Sequence, residues 1–215
     1  MGTVKSLLLG MCFVLGACTS QTSTVQTTEK GTQWEWQNGT IVVKTPERPA
    51  GQKSVLGLTT PKLEAVRVGF VGLGMRGPGA VERFTYIPGT QVVALCDYEE
   101  ARADKCQELL KKASMPKAAV YSGDKGYEEL CKRDDIDLVY IAADWLHHFP
   151  VAKCALENGK NVAIEVPSAM NLQECWDLIN LSESTRKHCF ILENCCDDWF
   201  ERNTLNMAQH CVVGE

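Results

Sequence analysis

The chain has 215 residues, of which 45% are hydrophobic and 23% are charged, and its formal net charge at pH 7 is −5. This composition is ordinary for a soluble globular protein, and the length allows one large domain or one domain with additional segments. The net charge supplies no basic field for a phosphate backbone, which argues against nucleic acid as a partner.

The first 18 residues predict a targeting segment that is separate from the fold. Lys5 gives a weakly positive start, residues 7–14 form a short apolar core, and Leu15-Gly16-Ala17-Cys18 closes it. Small residues before a cysteine resemble a bacterial lipobox, in which Cys18 carries the lipid of the mature protein. We therefore expect an exported bacterial lipoprotein, anchored to a membrane at the periplasm or the cell surface. A plain secretory signal with a chance cysteine is the alternative.

Residues 19–62 are rich in Thr, Gln, Ser, Gly and Pro, which predicts a tether between the membrane and the domain. Two apolar stretches interrupt this segment, Trp34-Glu35-Trp36 and Ile41-Val42-Val43, on either side of Asn38-Gly39. Because an Asn-Gly pair favours a tight hairpin turn, the two stretches are predicted to form a short hairpin or to dock on the domain surface.

The most informative motif follows an apolar strand predicted at Val66–Val71, which leads into Gly72-Leu73-Gly74-Met75-Arg76-Gly77. A helical pattern comes next, and a second strand, predicted over residues 91–96, delivers Asp97 twenty residues after the last glycine. A strand, a glycine loop, a helix and an acid in this order form the dinucleotide-binding fingerprint. A strand–turn–helix unit without a ligand is the alternative.

Each part of this motif has a physical role. Gly72 permits the tight turn, Gly74 lets the backbone approach a pyrophosphate, and Gly77 lets the helix pack close to the strand. The helix N-terminus offers N–H groups and a partial positive charge to the phosphates. Asp97 would accept hydrogen bonds from the adenosine ribose and repel a 2′-phosphate, so the predicted cofactor is NAD in preference to NADP.

Strands and helices alternate along the rest of the chain. Further strands are predicted at residues 119–121, 137–142, 161–164 and 188–192, and helices at 99–113, 126–132, 150–158, 172–186 and 199–209. Repeated βαβ units predict an α/β fold with a doubly wound parallel sheet, a Rossmann NAD-binding domain over residues 63–198. Residues 199–215 are predicted to be a linking helix and the truncated start of a second, α/β substrate domain.

The chain has eleven cysteines, and nine remain when Cys12 in the signal and Cys18 are set aside. The sequence contains neither a C-x-x-C spacing nor a Cys/His cluster, so we predict no metal site and no disulfide framework. We expect most of the nine, including the adjacent Cys195-Cys196 at a strand end, to be small buried residues.

Polar and aromatic side chains follow three predicted strands at their carboxyl ends, where ligands bind in such sheets. The three segments are Ala143-Asp144-Trp145-Leu146-His147-His148, Glu165-Val166-Pro167 and Glu193-Asn194. We expect them to gather at one rim of the sheet, where a nicotinamide ring would lie. Taken singly, His147 or His148 is more often a surface or helix-start residue than a catalyst, and Glu165 could simply end a strand.

At these residues the sequence resembles the Gfo/Idh/MocA family of sugar oxidoreductases. The similarity covers residues 66–215 and includes His148, Asn158-Gly159-Lys160-Asn161-Val162 and Glu165-Val166-Pro167. Within that family the glycine loop, Trp145-Leu146-His147-His148 and Glu165-Val166-Pro167 resemble glycoside hydrolase family 109, the NAD-dependent α-N-acetylgalactosaminidases that many gut bacteria export. The usual family tripeptide is Glu-Lys-Pro, so the replacement of its lysine by Val166 favours the hydrolase branch over a dehydrogenase.

The resemblance implies a redox-neutral hydrolysis of a glycan or small sugar with a terminal α-linked N-acetylgalactosamine. Tightly held NAD takes hydride from C3, the C2 proton is removed, the C1 leaving group is eliminated, water adds back, and the hydride returns. By the resemblance, Met75 and Arg76 flank the pyrophosphate, and Asp97 holds the ribose. Residues 145–148 line the nicotinamide side, and Glu165, Val166 and Asn194 complete the pocket. Together with the glycines, the predicted cofactor residues are Gly72, Gly74, Met75, Arg76, Gly77, Asp97, Trp145, Leu146, His147, His148, Glu165, Val166 and Asn194.

His148 and Glu165 are the candidates for catalysis within this chain, because the resemblance places most substrate contacts and proton-transfer residues in the second domain. Two departures from close relatives are Asp197-Asp198, where a tyrosine is expected before the aspartate, and Cys211, where a glycine is expected. We therefore expect the 215 residues by themselves to bind NAD and to catalyse nothing. An NAD-dependent sugar oxidoreductase and a non-catalytic, truncated NAD-binding lipoprotein are the alternatives, and a homo-oligomer stays open.

Overall fold

The structure, a computed structural model, describes residues 26–27, 33–43, 49, 51–196 and 198–212. The chain divides into two compact units, Met1–Thr45 and Pro46–Glu215. The predicted signal segment with Cys18 lies outside the described residues. None of the described helices combines the length and the apolarity that crossing a membrane requires.

The first unit contains a small antiparallel sheet. Its strands are β1 (Gln26–Thr27), β2 (Gln33–Gln37) and β3 (Thr40–Val43), in that order across the sheet. Asn38 and Gly39 connect β2 to β3 and have φ angles of 50° and 80°. Positive φ at both central residues is the geometry of the hairpin turn that Asn-Gly favours. The predicted hairpin is therefore confirmed.

The second unit is built on a parallel sheet of six strands. They are β4 (Val66–Val71), β5 (Thr90–Asp97), β6 (Ala119–Ser122), β7 (Leu138–Ile141), β8 (Asn161–Glu165) and β9 (Cys189–Leu192). The order across the sheet is β6-β5-β4-β7-β8-β9, and every neighbouring pair is parallel. The strand order reverses at β4, as in a doubly wound Rossmann sheet, so the predicted fold class is confirmed.

Helices cover both faces of this sheet. They are α1 (Gly77–Phe84), α2 (Glu100–Lys112), α3 (Gly126–Cys131), α4 (Trp145–Glu157) and α5 (Leu172–Thr185). A sixth helix, α6 (Trp199–Gln209), contributes no buried residue to the core. Successive strand residues point to opposite faces, so β7 sends Val139 and Ile141 to one buried cluster and Tyr140 to the other. The first cluster packs under α3, α4 and α5, and the second packs under α1 and α2.

The start of α4 differs from its prediction. The proline at position 150 indicated a helix beginning there, whereas the helix begins at Trp145 and contains Pro150 in its interior. Asp144 explains the earlier start, because its side chain accepts a hydrogen bond from the Leu146 backbone N–H and caps the first turn. The aromatic and histidine residues of this segment therefore lie on the first turns of a helix instead of in a loop.

The expectation that most cysteines are buried is wrong. Cys96, Cys106 and Cys131 are buried, and Cys154 and Cys189 are half-buried. Four others are exposed, because they lie on the outer face of α5, in the turn after β9 and after α6: Cys175, Cys195, Cys196 and Cys211.

The segment before β4 contacts α5. Gln52 donates through Nε2 to Asn180 Oδ1 at 3.0 Å and to Glu183 Oε2 at 2.9 Å. Arg186 donates to the carbonyl oxygen of Lys53 at 2.7 Å. The last part of the predicted tether therefore belongs to the same compact unit as the sheet.

Candidate functional site

A cavity of about 710 Å³ opens at the carboxyl ends of the strands of the parallel sheet. Most of the predicted cofactor residues line it: Gly72, Gly74, Met75, Arg76, Asp97, Trp145, His147, His148, Glu165, Val166 and Asn194. Two predicted residues do not. Gly77 is buried at the start of α1, and Leu146 is exposed on the outer side of α4.

The glycine loop fits a dinucleotide, because its glycines either shape the turn or leave the backbone bare. Gly72 has a φ of +90°, and a Cβ there would lie 2.3 Å from the Ala143 amide nitrogen. A Cβ on Gly77 would lie 2.2 Å from the Gly72 carbonyl oxygen. At Gly74 a Cβ would clash with nothing, since its nearest neighbour would be the Arg102 Nη1 at 3.6 Å, an ordinary van der Waals contact. A ligand can therefore approach the backbone at Gly74.

The N-terminus of α1 adds to this fit. The helix has no side-chain cap and no acidic residue in its first turn, so no carboxylate competes for the positive end of its dipole. Arg76 stands at the cap position and lines the cavity. A helix start of this kind, next to a bare glycine backbone, suits the pyrophosphate of a dinucleotide.

Asp97 is buried at the end of β5 and fastens the glycine loop to it. Its Oδ2 accepts from the Leu73 backbone N–H at 2.6 Å, and its Oδ1 accepts from the Glu99 backbone N–H at 3.0 Å. Arg102 Nη1 lies 3.4 Å from the same Oδ1. A carboxylate has about four acceptor positions, so one position remains for a ribose hydroxyl.

The two histidines of α4 point in different directions. His147 Nδ1 lies 2.6 Å from Asp144 Oδ2, and its Nε2 lies 3.5 Å from Asp124 Oδ1 in the loop after β6. His148 is buried, and its Nδ1 donates to the carbonyl oxygen of Pro167 at 2.7 Å. Of the two histidines, His148 is therefore the one that bonds α4 to the turn after β8.

The tautomer of His148 follows from this bond. A carbonyl oxygen can only accept, so Nδ1 carries the proton, and in the neutral ring Nε2 presents a lone pair. That nitrogen is buried at the cavity wall and has no hydrogen-bond partner within the described part of the chain. A buried ring nitrogen without a partner is expected to meet a donor from a ligand.

Glu165, at the end of β8, is held by Tyr140 and Arg76. The Tyr140 hydroxyl donates to Oε1 at 2.8 Å, and Arg76 Nη2 lies 3.7 Å from Oε2. The Tyr140 ring stacks on Phe70, with 5.0 Å between the ring centroids. Burial and the neighbouring Glu165 raise the pKa of Tyr140 to about 12, so the phenol keeps its proton at neutral pH. The carboxylate of Glu165 is thereby fixed at the rim of the cavity.

Several residues line the cavity that were not predicted, and four of them carry charged or phenolic side chains: Tyr98, Arg102, Asp124 and Tyr127. Tyr98 directly follows β5, and Asp124 follows β6 by two residues, so the rule that ligands bind at strand ends would have found both. Arg102 and Tyr127 lie on helices, and their positions depend on packing that no local pattern indicates.

The sequence model of one protein family, described as "Oxidoreductase family, NAD-binding Rossmann fold", matches residues 66–192. A solved structure of myo-inositol dehydrogenase from Lactobacillus casei, in complex with NAD(H) and myo-inositol, has the same fold with a TM-score of 0.62. It is 22% identical and covers 70% of this chain, which in turn covers 43% of that structure. The family match confirms NAD as the predicted cofactor.

Similar sequences come from Phocaeicola and Bacteroides species. Glycosyl hydrolase family 109 protein 4 of Phocaeicola vulgatus is 80% identical over 216 residues, covering all of this chain and 42% of the relative. Glycosyl hydrolase family 109 protein 1 of Bacteroides thetaiotaomicron is 57% identical over 213 residues, covering 99% of this chain and 44% of the relative. The chain thus spans less than half the length of these relatives. It belongs to the Gfo/Idh/MocA oxidoreductase family with the NAD-binding Rossmann fold, and its similarity to glycosyl hydrolase family 109 proteins extends along its whole length.

Proposed function

We propose that this chain supplies the NAD-binding domain of a glycosidase that releases terminal α-linked N-acetylgalactosamine. The observation that carries the proposal is the 80% identity, along the whole chain, with a relative named as a glycosyl hydrolase of family 109. The substrate and the redox-neutral course follow from the resemblance to that family. A family 109 enzyme needs a dinucleotide site for hydrolysis, and the cavity described above fits one.

NAD, when bound, would take a hydride from C3 of the sugar and return it within the same turnover. The chain's own residues hold the cofactor for this. Gly74 and Arg76 face the pyrophosphate, and Asp97 offers its remaining acceptor position to the adenosine ribose. Trp145 and Val166 line the nicotinamide side of the cavity.

His148 and Glu165 are the catalytic candidates within this chain, and both line the cavity. The free lone pair on His148 Nε2 can accept a hydrogen bond from a hydroxyl or amide of the ligand. Glu165, held by Tyr140 and Arg76, keeps a fixed negative charge at the rim. Both residues position the cofactor in this proposal, and the base that removes the C2 proton comes from the rest of the longer protein.

The replacement of lysine by Val166 favours hydrolysis over net oxidation. Among the described residues that line the cavity, the side chains with a permanent positive charge are Arg76 and Arg102, and no lysine is present. A sugar dehydrogenase of this family would be expected to place a lysine near the reacting carbon. Val166 instead contributes an apolar side chain that is 46% exposed at the rim.

The rim is open to solvent in this chain, so we propose that the 215 residues alone do not turn over. Met75 is 97% exposed and Trp145 is 60% exposed, although both line the cavity. Hydride transfer and C2 deprotonation require the sugar to be fixed against both the ring and a base. Such positioning can supply roughly 7–11 kcal/mol of the barrier.

An aryl α-N-acetylgalactosaminide assay tests this function. The activity of the chain is compared with that of a longer protein, which also contains the part of its relatives that lies outside the matched region. Both proteins are supplied with NAD. The extended protein should release the aryl alcohol without net NADH accumulation, and the short chain should release none. NADH accumulation by the extended protein would assign it as a dehydrogenase, and steady release by the short chain would refute the need for a second domain.

We also propose that Cys18 carries a lipid and anchors the mature protein to a membrane facing outside the cytoplasm. The support is the sequence Leu15-Gly16-Ala17-Cys18 at the end of a short apolar core. Cys18→Ser should give an unprocessed or soluble product when cell fractions are compared. If that variant fractionates with membranes at the processed size of the parent, the lipidation proposal is wrong.

A further inference from the structure

A charge cluster at the β5 end of the cavity consists of Asp97, Glu99 and Arg102, and the last two have no role in the proposal above. Arg102, on α2, lines the cavity beside the bare backbone of Gly74. Its guanidinium is held by two acids, since Nη1 lies 3.4 Å from Asp97 Oδ1 and Nη2 donates to Glu99 Oε1 at 2.9 Å. The cluster stands where Asp97 would meet the adenosine ribose, so it also stands where the 2′-phosphate of NADP would lie.

The two acids of the cluster differ in what they do for the fold. Asp97 is buried and accepts two backbone N–H groups, so its removal would disturb the glycine loop. The side chain of Glu99 is 57% exposed and makes no cap hydrogen bond at the start of α2. Glu99 can therefore be changed without removing a contact that holds the loop.

The charges of the cluster sum to one negative, because two carboxylates face one guanidinium. A 2′-phosphate would bring roughly −1.5 to −2 more charge to this place. Without Glu99 the cluster is neutral, and the planar guanidinium gains N–H donors that suit a phosphate.

We infer that Glu99 sets the preference of this site for NAD over NADP by placing a second negative charge against the guanidinium of Arg102. The inference rests on the NAD site proposed above. It assigns Glu99 as a specificity residue that acts through Arg102, because Glu99 itself is not among the residues that line the cavity.

Calorimetric titration of the 215-residue chain with NAD and with NADP tests this inference. Glu99→Gln should tighten NADP binding about fivefold, the effect of one partly exposed charge interaction, and should leave NAD binding unchanged within about twofold. The double variant Glu99→Gln with Arg102→Gln should lose the gain. The control is Glu108→Gln, which removes the same charge from the same helix, where Glu108 pairs with Lys111 at 3.8 Å outside the cavity.

An NADP-to-NAD affinity ratio that is equal in Glu99→Gln and Glu108→Gln would overturn the inference while the NAD site stands. Equal weakening of both cofactors by Glu99→Gln would also overturn it, because that result indicates a structural role. If the parent chain binds neither dinucleotide, the cofactor assignment fails, and the inference fails with it.

Discussion

The two edges of the parallel sheet use their polar groups in different ways. At the amino edge, where the strands start, neighbouring strands bond to each other. The Arg67 side chain donates to both oxygens of Asp137, at 2.9 and 2.7 Å, and its backbone N–H donates to Oδ2 at 2.9 Å. Asn161 donates to the Asp137 carbonyl oxygen, and the His188 backbone N–H donates to Asn161 Oδ1.

At the carboxyl edge, where the strands end, several polar groups face a cavity. The backbone at Gly74 is bare, His148 Nε2 has no partner in the described part of the chain, and Asp97 retains an acceptor position. The amino edge satisfies its polar groups internally and so stabilises the sheet, whereas the carboxyl edge keeps polar groups available for a ligand. Changes at the amino edge should therefore affect stability, and changes to the groups that face the cavity at the carboxyl edge should affect binding.

Substitutions at two glycines of the same loop should give the largest effects, because one should lower the stability and the other the affinity for NAD. Gly72→Ala adds a Cβ at 2.3 Å from backbone and at a φ of +90°, so it should lower the free energy of unfolding by about 2–4 kcal/mol. Gly74→Ala adds a Cβ that clashes with no atom, so stability should stay within about 0.5 kcal/mol while NAD affinity falls about tenfold or more. Denaturant unfolding measures the free energy of unfolding of each variant, and calorimetric titration measures its affinity for NAD. A Gly74→Ala variant that binds NAD as the parent does would refute the pyrophosphate position.

Removal of the Asp97 carboxylate should have the next largest effect. Asp97→Ala should weaken NAD binding by at least about 1.5–3 kcal/mol, because a charge-assisted hydrogen bond to the ribose is lost and the Leu73 amide loses the acceptor that holds the glycine loop. Loss of the carboxylate should also reduce the discrimination against NADP. Titration of both cofactors into the variant measures this. Equal affinity of the unmutated chain for NAD and NADP would contradict the role assigned to Asp97.

At the amino edge, Asp137→Asn should lower Tm by about 2–6 °C and leave NAD affinity unchanged. The hydrogen bond from Arg67 holds the pKa of Asp137 below its ordinary value. Because the pKa of Asp137 is lower in the folded chain than in the unfolded chain, where it is about 3.9, the ionised carboxylate stabilises the fold at pH values above about 3.9. This stability is lost as the pH falls through the folded-state pKa. Calorimetry between neutral pH and about pH 3 should therefore show that the difference in Tm between the parent chain and Asp137→Asn becomes smaller at the acid end. A difference that does not change with pH would contradict the ion-pair explanation.

The smallest effect is expected for Tyr140→Phe. The variant keeps the ring stacked on Phe70 and loses only the hydroxyl that holds Glu165, so NAD affinity should fall by about 0.5–1.5 kcal/mol with little change in stability. Tyr121→Phe is the matched control, because its hydroxyl accepts from Arg133 at 3.1 Å outside the cavity. Equal NAD affinities of the two variants would show that Tyr140 does not position Glu165.

The sequence predicted the parts of the molecule whose signals are local. The strand at Val66–Val71, the glycine loop and the Asn38-Gly39 hairpin follow from short patterns, and the structure contains all three. The start of α4 was predicted five residues late, because the cap at Asp144 outweighs the proline that the pattern emphasised.

The partners of the site residues could not be predicted, because they come from distant parts of the chain. The bond from Tyr140 to Glu165 depends on the parallel register of β7 and β8, and the approach of His147 to Asp124 depends on how α4 packs beside the loop after β6. Asp97 was predicted as a ribose partner, yet its contacts with the Leu73 and Glu99 amides appear only in three dimensions.

Amide hydrogen exchange of the chain with and without NAD tests the difference between the two edges most directly. NAD should slow exchange in the glycine loop, at the start of α4 and in the turn after β8, and should leave exchange at the starts of β4 and β7 unchanged. Slower exchange confined to the amino edge, or no slower exchange in the glycine loop at a saturating concentration of NAD, would contradict that difference.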